Sequence, residues 1–355
     1  MKFDDFRYYP SLRTRPAEVK GYAELTAEEK SSVVPIFTAG LWPRQSHLGA
    51  SMEKVIEAAE GNSIILDVTT DPSYSNEETW KLRDAANNFE NWRKFVLEQD
   101  KNIIPVVQIT PESKLSHVIR QARAFESIGR KLAFKIRNFG TDTTEIVAAL
   151  SALDDAENAL VIIDAGYIRE TLPASLAGCV TAINEIRDEV ADAIITVVST
   201  SFPASVVSFL DANSKGERGV INILETKLHA AIGSDAAIYG DHGSIHSRVY
   251  IAKGGRYTPR IDYPLHDAWV FERRPERDST GYVDAAKSLI EAYAEISEDE
   301  SWGAKMIRQA ANGEIDGMKT PASWIAARVN MHISKQIYLN SDSAFTDEED
   351  VDDLI

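Results

Sequence analysis

The feature that most constrains this chain is a rhythm. Eight short, β-branched apolar runs alternate with longer stretches whose apolar residues recur three and four apart. The runs are Arg7 to Leu12, Val33 to Ala39, Ser63 to Thr69, Ile103 to Thr110, Leu132 to Arg137, Leu160 to Ala165, Ala193 to Thr200 and Ala236 to Tyr239. Between them, Leu115, Val118, Ile119, Ala122 and Phe125, then Ile146, Ala149, Leu150 and Leu153, keep the helical period. Helix starts are marked by Arg15-Pro16-Ala17-Glu18, Thr110-Pro111-Glu112, Asp142-Thr143-Thr144-Glu145 and Leu172-Pro173. Strands that are apolar almost throughout are covered on both faces, as in parallel sheets wrapped by helices. Eight such units predict an α/β fold, a closed (β/α)8 TIM-like barrel rather than an open doubly wound sheet.

The seventh unit is irregular. After Ser201-Phe202-Pro203 come a helix around Val206 to Leu210, a polar turn at Asn213 to Gly219 and an apolar run, Val220 to Leu224, whose status as a strand the sequence leaves open. Residues 1–300 are expected to make the barrel, with an extended excursion at about 247–274 that turns at Lys253-Gly254-Gly255 and Tyr263-Pro264. Residues from about Ser247 onward are expected to add to the barrel without forming a sheet domain. Of three further helical stretches, Gly281 to Ile296 is expected to be the eighth barrel helix. Trp302 to Ala311 and Ser323 to Tyr338 then make a C-terminal helical cap over 301–340, and 341–355 an acidic mobile tail.

Charge narrows the function classes. A formal net charge of −17 argues against wrapping nucleic acid, which needs concentrated Lys and Arg. The single cysteine, Cys179, excludes an internal disulfide and fits a reducing cytoplasm. No run approaches the roughly 20 apolar residues of a membrane span, and Met1-Lys2-Phe3-Asp4-Asp5 lacks the order of a signal peptide. A cytoplasmic location is the expectation.

Barrel active sites lie at the carboxyl ends of the strands, so the polar residues there are the candidates. They include Arg13, Asp67, Gln108, Lys135, Arg137, Asp164 and Ser199, and, after the last run, Asp241 and His242 between Gly240 and Gly243. Lys135 and Arg137 are two apart on a strand and share a face, with Phe134 and Ile136 on the other. Either they offer an anion a point charge and a bidentate fork, or they neutralise Asp67, Asp164 or Asp241 inside the barrel. Arg13, Asp67, Gln108, Lys135, Arg137 and Ser199 are the ligand-binding candidates, and Asp241, His242 and Asp164 the acid–base ones. Asp67, Asp164 and Asp241 offer the oxygen ligands a divalent cation requires, although no metal motif accompanies them. Phosphate-loop, dinucleotide, Cys-x-x-Cys and Gly-x-Ser-x-Gly signatures are absent. Trp42, beside Pro43-Arg44, is the candidate for stacking at the mouth.

Several stretches, taken in order, resemble a known family. Tyr9-Pro10-Ser11-Leu12-Arg13 leading to Arg15-Pro16-Ala17-Glu18, then Val34-Pro35-Ile36, Tyr239-Gly240-Asp241-His242-Gly243 and Trp324 to Ile333 are similar to the phage and bacterial "beta family protein". The chain departs from that pattern at Met331, which precedes His332 where the family often pairs two histidines. The resemblance implies a setting and no chemistry: phages, phage satellites and bacterial genomes, sometimes cassettes linked to phage defence or to a toxic neighbour. Two functional readings follow. One is a defence or toxin-neutralising protein that holds a protein partner, with an anion pocket at its mouth. The other is an enzyme or sensor for a small phosphorylated or nucleotide-like ligand.

Overall fold

The computed structural model describes residues 1–42, 45, 47–249, 257–275 and 277–341. The acidic tail, the Lys253-Gly254-Gly255 turn and Pro43-Arg44 lie outside the described residues. Eleven strands are described: β1 (Tyr8–Arg13), β2 (Ile36–Ala39), β3 (Ile64–Val68), β4 (Ile103–Pro105), β5 (Leu132–Ile136), β6 (Ala159–Tyr167), β7 (Ile194–Thr200), β8 (Arg218–Asn222), β9 (Ile238–Asp241), β10 (Arg260–Pro264) and β11 (Ala268–Arg273). Eight of them form one sheet in the order β4-β3-β2-β1-β9-β7-β6-β5, with every named pairing parallel. Its two ends meet through a parallel bridge between Val106 and Ala133, where Val107 N donates to Ala133 O at 2.8 Å. The predicted eight-stranded barrel is therefore closed, and its strands are the eight runs.

Strand parity builds two concentric cores. Successive strand residues point to opposite faces, so Tyr9, Ile36, Ile65, Ile104, Ala133, Leu160, Ile162 and Val198 fill the interior with Phe3. Tyr8, Leu12, Phe37, Ile64, Leu66, Phe134, Ile136, Val161, Val197 and Tyr239 face the surrounding helices. Above the apolar plug, the next inward positions are polar, and they carry the site.

Beyond the barrel the arrangement differs from expectation in three ways. Residues past Ser247 do form a sheet apart from the barrel: β10 pairs antiparallel with β11, and β11 with β8, which makes a strand of the start of the Val220 run that the sequence left open. Tyr263 and Pro264 end β10, so the reversal falls after them, with Leu265 N donating to Ala268 O at 2.7 Å. The eighth barrel helix is Pro321–Leu339, which packs on the helix Pro16–Ala23 and on β1, whereas Gly281–Ala292 packs on β10, β11 and the helix Trp302–Ala311. The reason is visible in burial: Val329 and Ile333 join the barrel's outer core, while Trp324, Ala327 and Met331 join Tyr282, Ala285 and Leu289 in a second core. A helix apolar on two sides is the one that can stand between two cores. Gly21 and Gly303 flank it, where a Cβ would lie 2.7 Å from Ala326 O and 2.4 Å from Ala327 O respectively. Between Thr110-Pro111 and the next helix the chain stays irregular, and the helix begins at Leu115.

Candidate functional site

Parity sorts the candidate residues before any distance is measured. Asp67, Lys135 and Asp164 follow the inward residues Ile65, Ala133 and Ile162, and Arg137 continues the same face one residue beyond β5. Ser199 and Asp241 instead follow Val197 and Tyr239, which face the helices. The structure keeps that division. Arg13, Asp67, Lys135, Arg137, Asp164 and His242 line one cavity of about 240 Å³ at the carboxyl ends of the strands; Asp241, Ser199 and Gln108 do not.

Within the cavity the charges form a continuous chain. Arg137 donates to Asp67 Oδ2, and Lys135 Nζ lies 3.7 Å from that same oxygen and 3.0 Å from Asp164 Oδ2. Asp164 Oδ1 is 2.9 Å from His242 Nε2 and accepts from Gly166 N at 3.0 Å. Gln108 supports the chain from beneath, its Nε2 donating to Asp67 Oδ1 at 3.3 Å. Burial alone would raise both carboxyls, yet Arg137 and Lys135 hold Asp67 below the ordinary carboxylate range, and Lys135 and His242 hold Asp164 well below it. Both acids are therefore ionised near neutrality. Lys135 is enclosed, with 5% of its side chain exposed, whereas Arg137 keeps 25%. Arg137 is the cation with an open edge.

Arg13 has other work. Its backbone N–H donates to Glu18 Oε2 at 2.6 Å, and its guanidinium donates to the His246 carbonyl and lies 3.8 Å from Glu18 Oε1. Trp42 donates its indole N–H to the Thr14 carbonyl and does not line the cavity. Sequence reasoning passed over Glu18, Thr70, Asp71 and Tyr74, which complete the wall. Glu18 comes from the first helix and Asp71 from three residues past β3, beyond the strand ends that were scanned. Arg83 lies outside this wall and lines a different cavity. Its Nε is buried without a hydrogen-bond partner, and burial together with the nearby Arg137 charge lowers its pKa.

Asp241 serves a separate buried cluster. Its Oδ1 accepts from Tyr8 OH at 2.8 Å and Gly243 N at 2.7 Å, and its Oδ2 from Tyr239 OH at 3.0 Å, with His332 Nε2 at 2.9 Å. Burial would raise this carboxyl, but His332 and the hydrogen bonds bring it below its ordinary value. The tyrosines are pushed far up by burial first and by Asp241 second, so they remain donors. The two glycines around Asp241-His242 have steric reasons: a Cβ on Gly240 would lie 2.6 Å from Val198 Cγ1, and Gly243 is left-handed at φ +56°. Among the described residues no group of three or more His, Cys, Asp or Glu side chains is placed to hold a metal ion. Cys179 is buried, and burial pushes its thiol up to about 12.

Comparison with known proteins now meets this geometry. The sequence profile of the Beta protein family matches residues 8–338. The chain belongs to the Beta protein family. Among Beta family relatives, "Protein beta" of Enterobacteria phage P4 is 45% identical over 354 residues, covering 99% of each chain. The matched residues thus run from the first residue of β1 to the last turn of the eighth helix and span the barrel, the extra sheet and the C-terminal helix of this chain. No described helix of this Beta family protein is long and apolar enough to cross a membrane.

Proposed function

We propose that the barrel mouth binds a small molecule bearing an anionic group, and that the chain acts beside a protein partner in a phage-borne defence or toxin-neutralising module. One observation carries the pocket: Arg137, Asp67, Lys135, Asp164 and His242 converge, in hydrogen-bonded or ion-paired sequence, on a single cavity at the strand ends. Lys135 is occupied by two carboxylates and fixes the array. Arg137 contacts one carboxylate and is partly exposed, so a carboxylate or phosphate would take its remaining donors, as a guanidinium fork favours. Arg83 lines a different cavity, yet it is near enough for the Arg137 charge to act on it. His242 is hydrogen-bonded to Asp164 and lines the same cavity as Arg137, which supports it as the group that exchanges a proton with the bound anion.

The module role rests on the family resemblance and on the phage setting of the relative. The same His242–Asp164 pair favours the enzyme or sensor reading, in which the ligand is phosphorylated and His242 acts as its acid or base. Thermal melts of the parent and Arg137→Met with a panel of non-aromatic phosphorylated compounds test the pocket. A rise in melting temperature is expected in the parent and not in the variant; a parent that answers none of the panel refutes the anion site. Native mass spectrometry after co-expression with proteins encoded beside it tests the partner. Recovery of the chain alone argues for the enzyme or sensor.

A further inference from the structure

A second cavity, of about 310 Å³, lies away from the barrel mouth, between the three-stranded sheet and the start of the C-terminal helix, and no barrel-strand residue lines it. Two features of its wall are costly unless something occupies it, and a third suits an aromatic occupant. The first is a pair of like charges. Arg260 and Arg273 are direct cross-strand partners in the β10–β11 register and both line the cavity. Like charges directly opposite one another destabilise a sheet. The nearby carboxylate does not relieve both. Asp262 Oδ2 accepts from Arg260 Nε at 3.1 Å and from the buried Arg328 Nη1 at 2.9 Å, while Arg273 forms no ion pair among the described residues. Two guanidiniums thus share one carboxylate, and Arg273 is left without a counter-charge among the described residues, in a chain whose formal net charge is −17. Burial and the Arg260 charge both lower the Arg273 pKa, in keeping with that crowding.

The second feature is an orphaned donor: Tyr282 is fully buried, lines the cavity, and its hydroxyl has no hydrogen-bond partner among the described residues. A buried hydroxyl left unsatisfied pays its desolvation with nothing in return. The third is a flat aromatic wall. Tyr257 stacks on Tyr282 with centroids 6.4 Å apart and Tyr282 on Trp324 at 5.3 Å, all three lining the cavity.

We propose that this cavity is a second binding site, for an aromatic molecule carrying a single carboxylate or phosphate, with the anion between Arg260 and Arg273 and the ring against Tyr257 and Tyr282. Two guanidiniums suit a planar or tetrahedral oxyanion, the phenol supplies one more donor, and stacked rings accept another ring at their edge or face. Asp262 in the same wall disfavours polyanions, since a second negative group would meet its carboxylate.

The test uses the full chain with phenyl phosphate and benzoate as probes, read by isothermal titration calorimetry and by thermal melting; inorganic phosphate and benzyl alcohol are the controls. Saturable binding is expected for at least one aromatic anion, and which of the two binds tells phosphate from carboxylate. Arg273→Met is expected to weaken binding at least tenfold while the unliganded variant melts no lower than the parent, because a like charge has been removed. Tyr282→Phe, which keeps the ring stack, is expected to weaken it severalfold. Arg137→Met, at the barrel mouth, is expected to leave it unchanged, which separates this site from the one proposed above. The site is refuted if neither aromatic anion binds, if Arg273→Met binds as the parent does, if binding is lost in Arg137→Met instead, or if Arg273→Met alone lowers the melting temperature by several degrees.

Discussion

Lys135 holds two carboxylates and Arg137 one, so losing them has unequal consequences. Lys135→Met leaves Asp164 with His242 and the Gly166 N–H, and Asp67 with Arg137, Gln108 and the Val68 N–H, so both mostly buried carboxylates lose a cation, and it is expected to cost ~3–5 kcal/mol in urea denaturation. Arg137→Met still leaves Asp67 its Lys135 and Gln108 contacts, and the side chain removed is partly exposed, so about 1–3 kcal/mol is expected. Equal losses would show that the chain of charges is not anchored at Lys135. His332→Ala strips Asp241 of a fully buried partner, and a loss of about 3 kcal/mol is expected by the same method. Much of the site was legible at this scale. Alternation along β5 placed Lys135 and Arg137 inside the barrel from sequence alone, and the same alternation along β7 and β9 would have turned Ser199 and Asp241 outward. Glu18 and Asp71 were not legible, because their arrival at the mouth depends on how loops and the first helix fold back over the strand ends.

At the scale of elements, the eight barrel strands could be read because a strand covered on both faces is a local apolar run with its own signature. The three-stranded sheet could not. β8 is separated from β11 by a barrel strand and an excursion, and its alternating exposure records only that one face is covered, not by what. The eighth helix was misplaced for a related reason: the first helix after the last strand is the default, and only the doubly apolar surface of Pro321–Leu339 distinguishes the one that closes the barrel. Its fit is close enough to test. Gly21→Ala would set a Cβ 2.7 Å from Ala326 O and 2.8 Å from Val329 Cβ, in backbone and branched side chain that cannot easily yield. A destabilisation of ~1–3 kcal/mol is expected from denaturant melts, against a gain for an ordinary helical glycine replaced by alanine. A gain here would mean that the helices are farther apart than described.

For the whole molecule, the buried carboxylates set the response to acid. Asp67, Asp164 and Asp241 all titrate lower in the folded chain than their ordinary value of about 3.9. The unfolded chain therefore binds their protons first as pH falls, so their stabilisation is complete above about pH 4 and is lost on descent through the folded values. His246 acts earlier in the same direction. Burial, with Arg13 and Arg248 beside it, lowers it to about 4, so the unfolded chain gains its proton from about pH 6.5 downward and the folded one does not. Urea midpoints at pH 7, 5 and 3 should fall in that order; a midpoint at pH 3 equal to that at pH 7 would contradict the assignment. The placement of the eighth helix also has a consequence in time. A ribosome adding about 5–20 residues per second finishes β9 several seconds before it finishes Pro321–Leu339. Through that interval the seam between the first and last barrel strands has no helix over it, and Asp241 lacks His332. The nascent chain holds an almost complete barrel that it cannot seal, and any truncation short of His332 should leave a product that cells degrade rather than a smaller working protein.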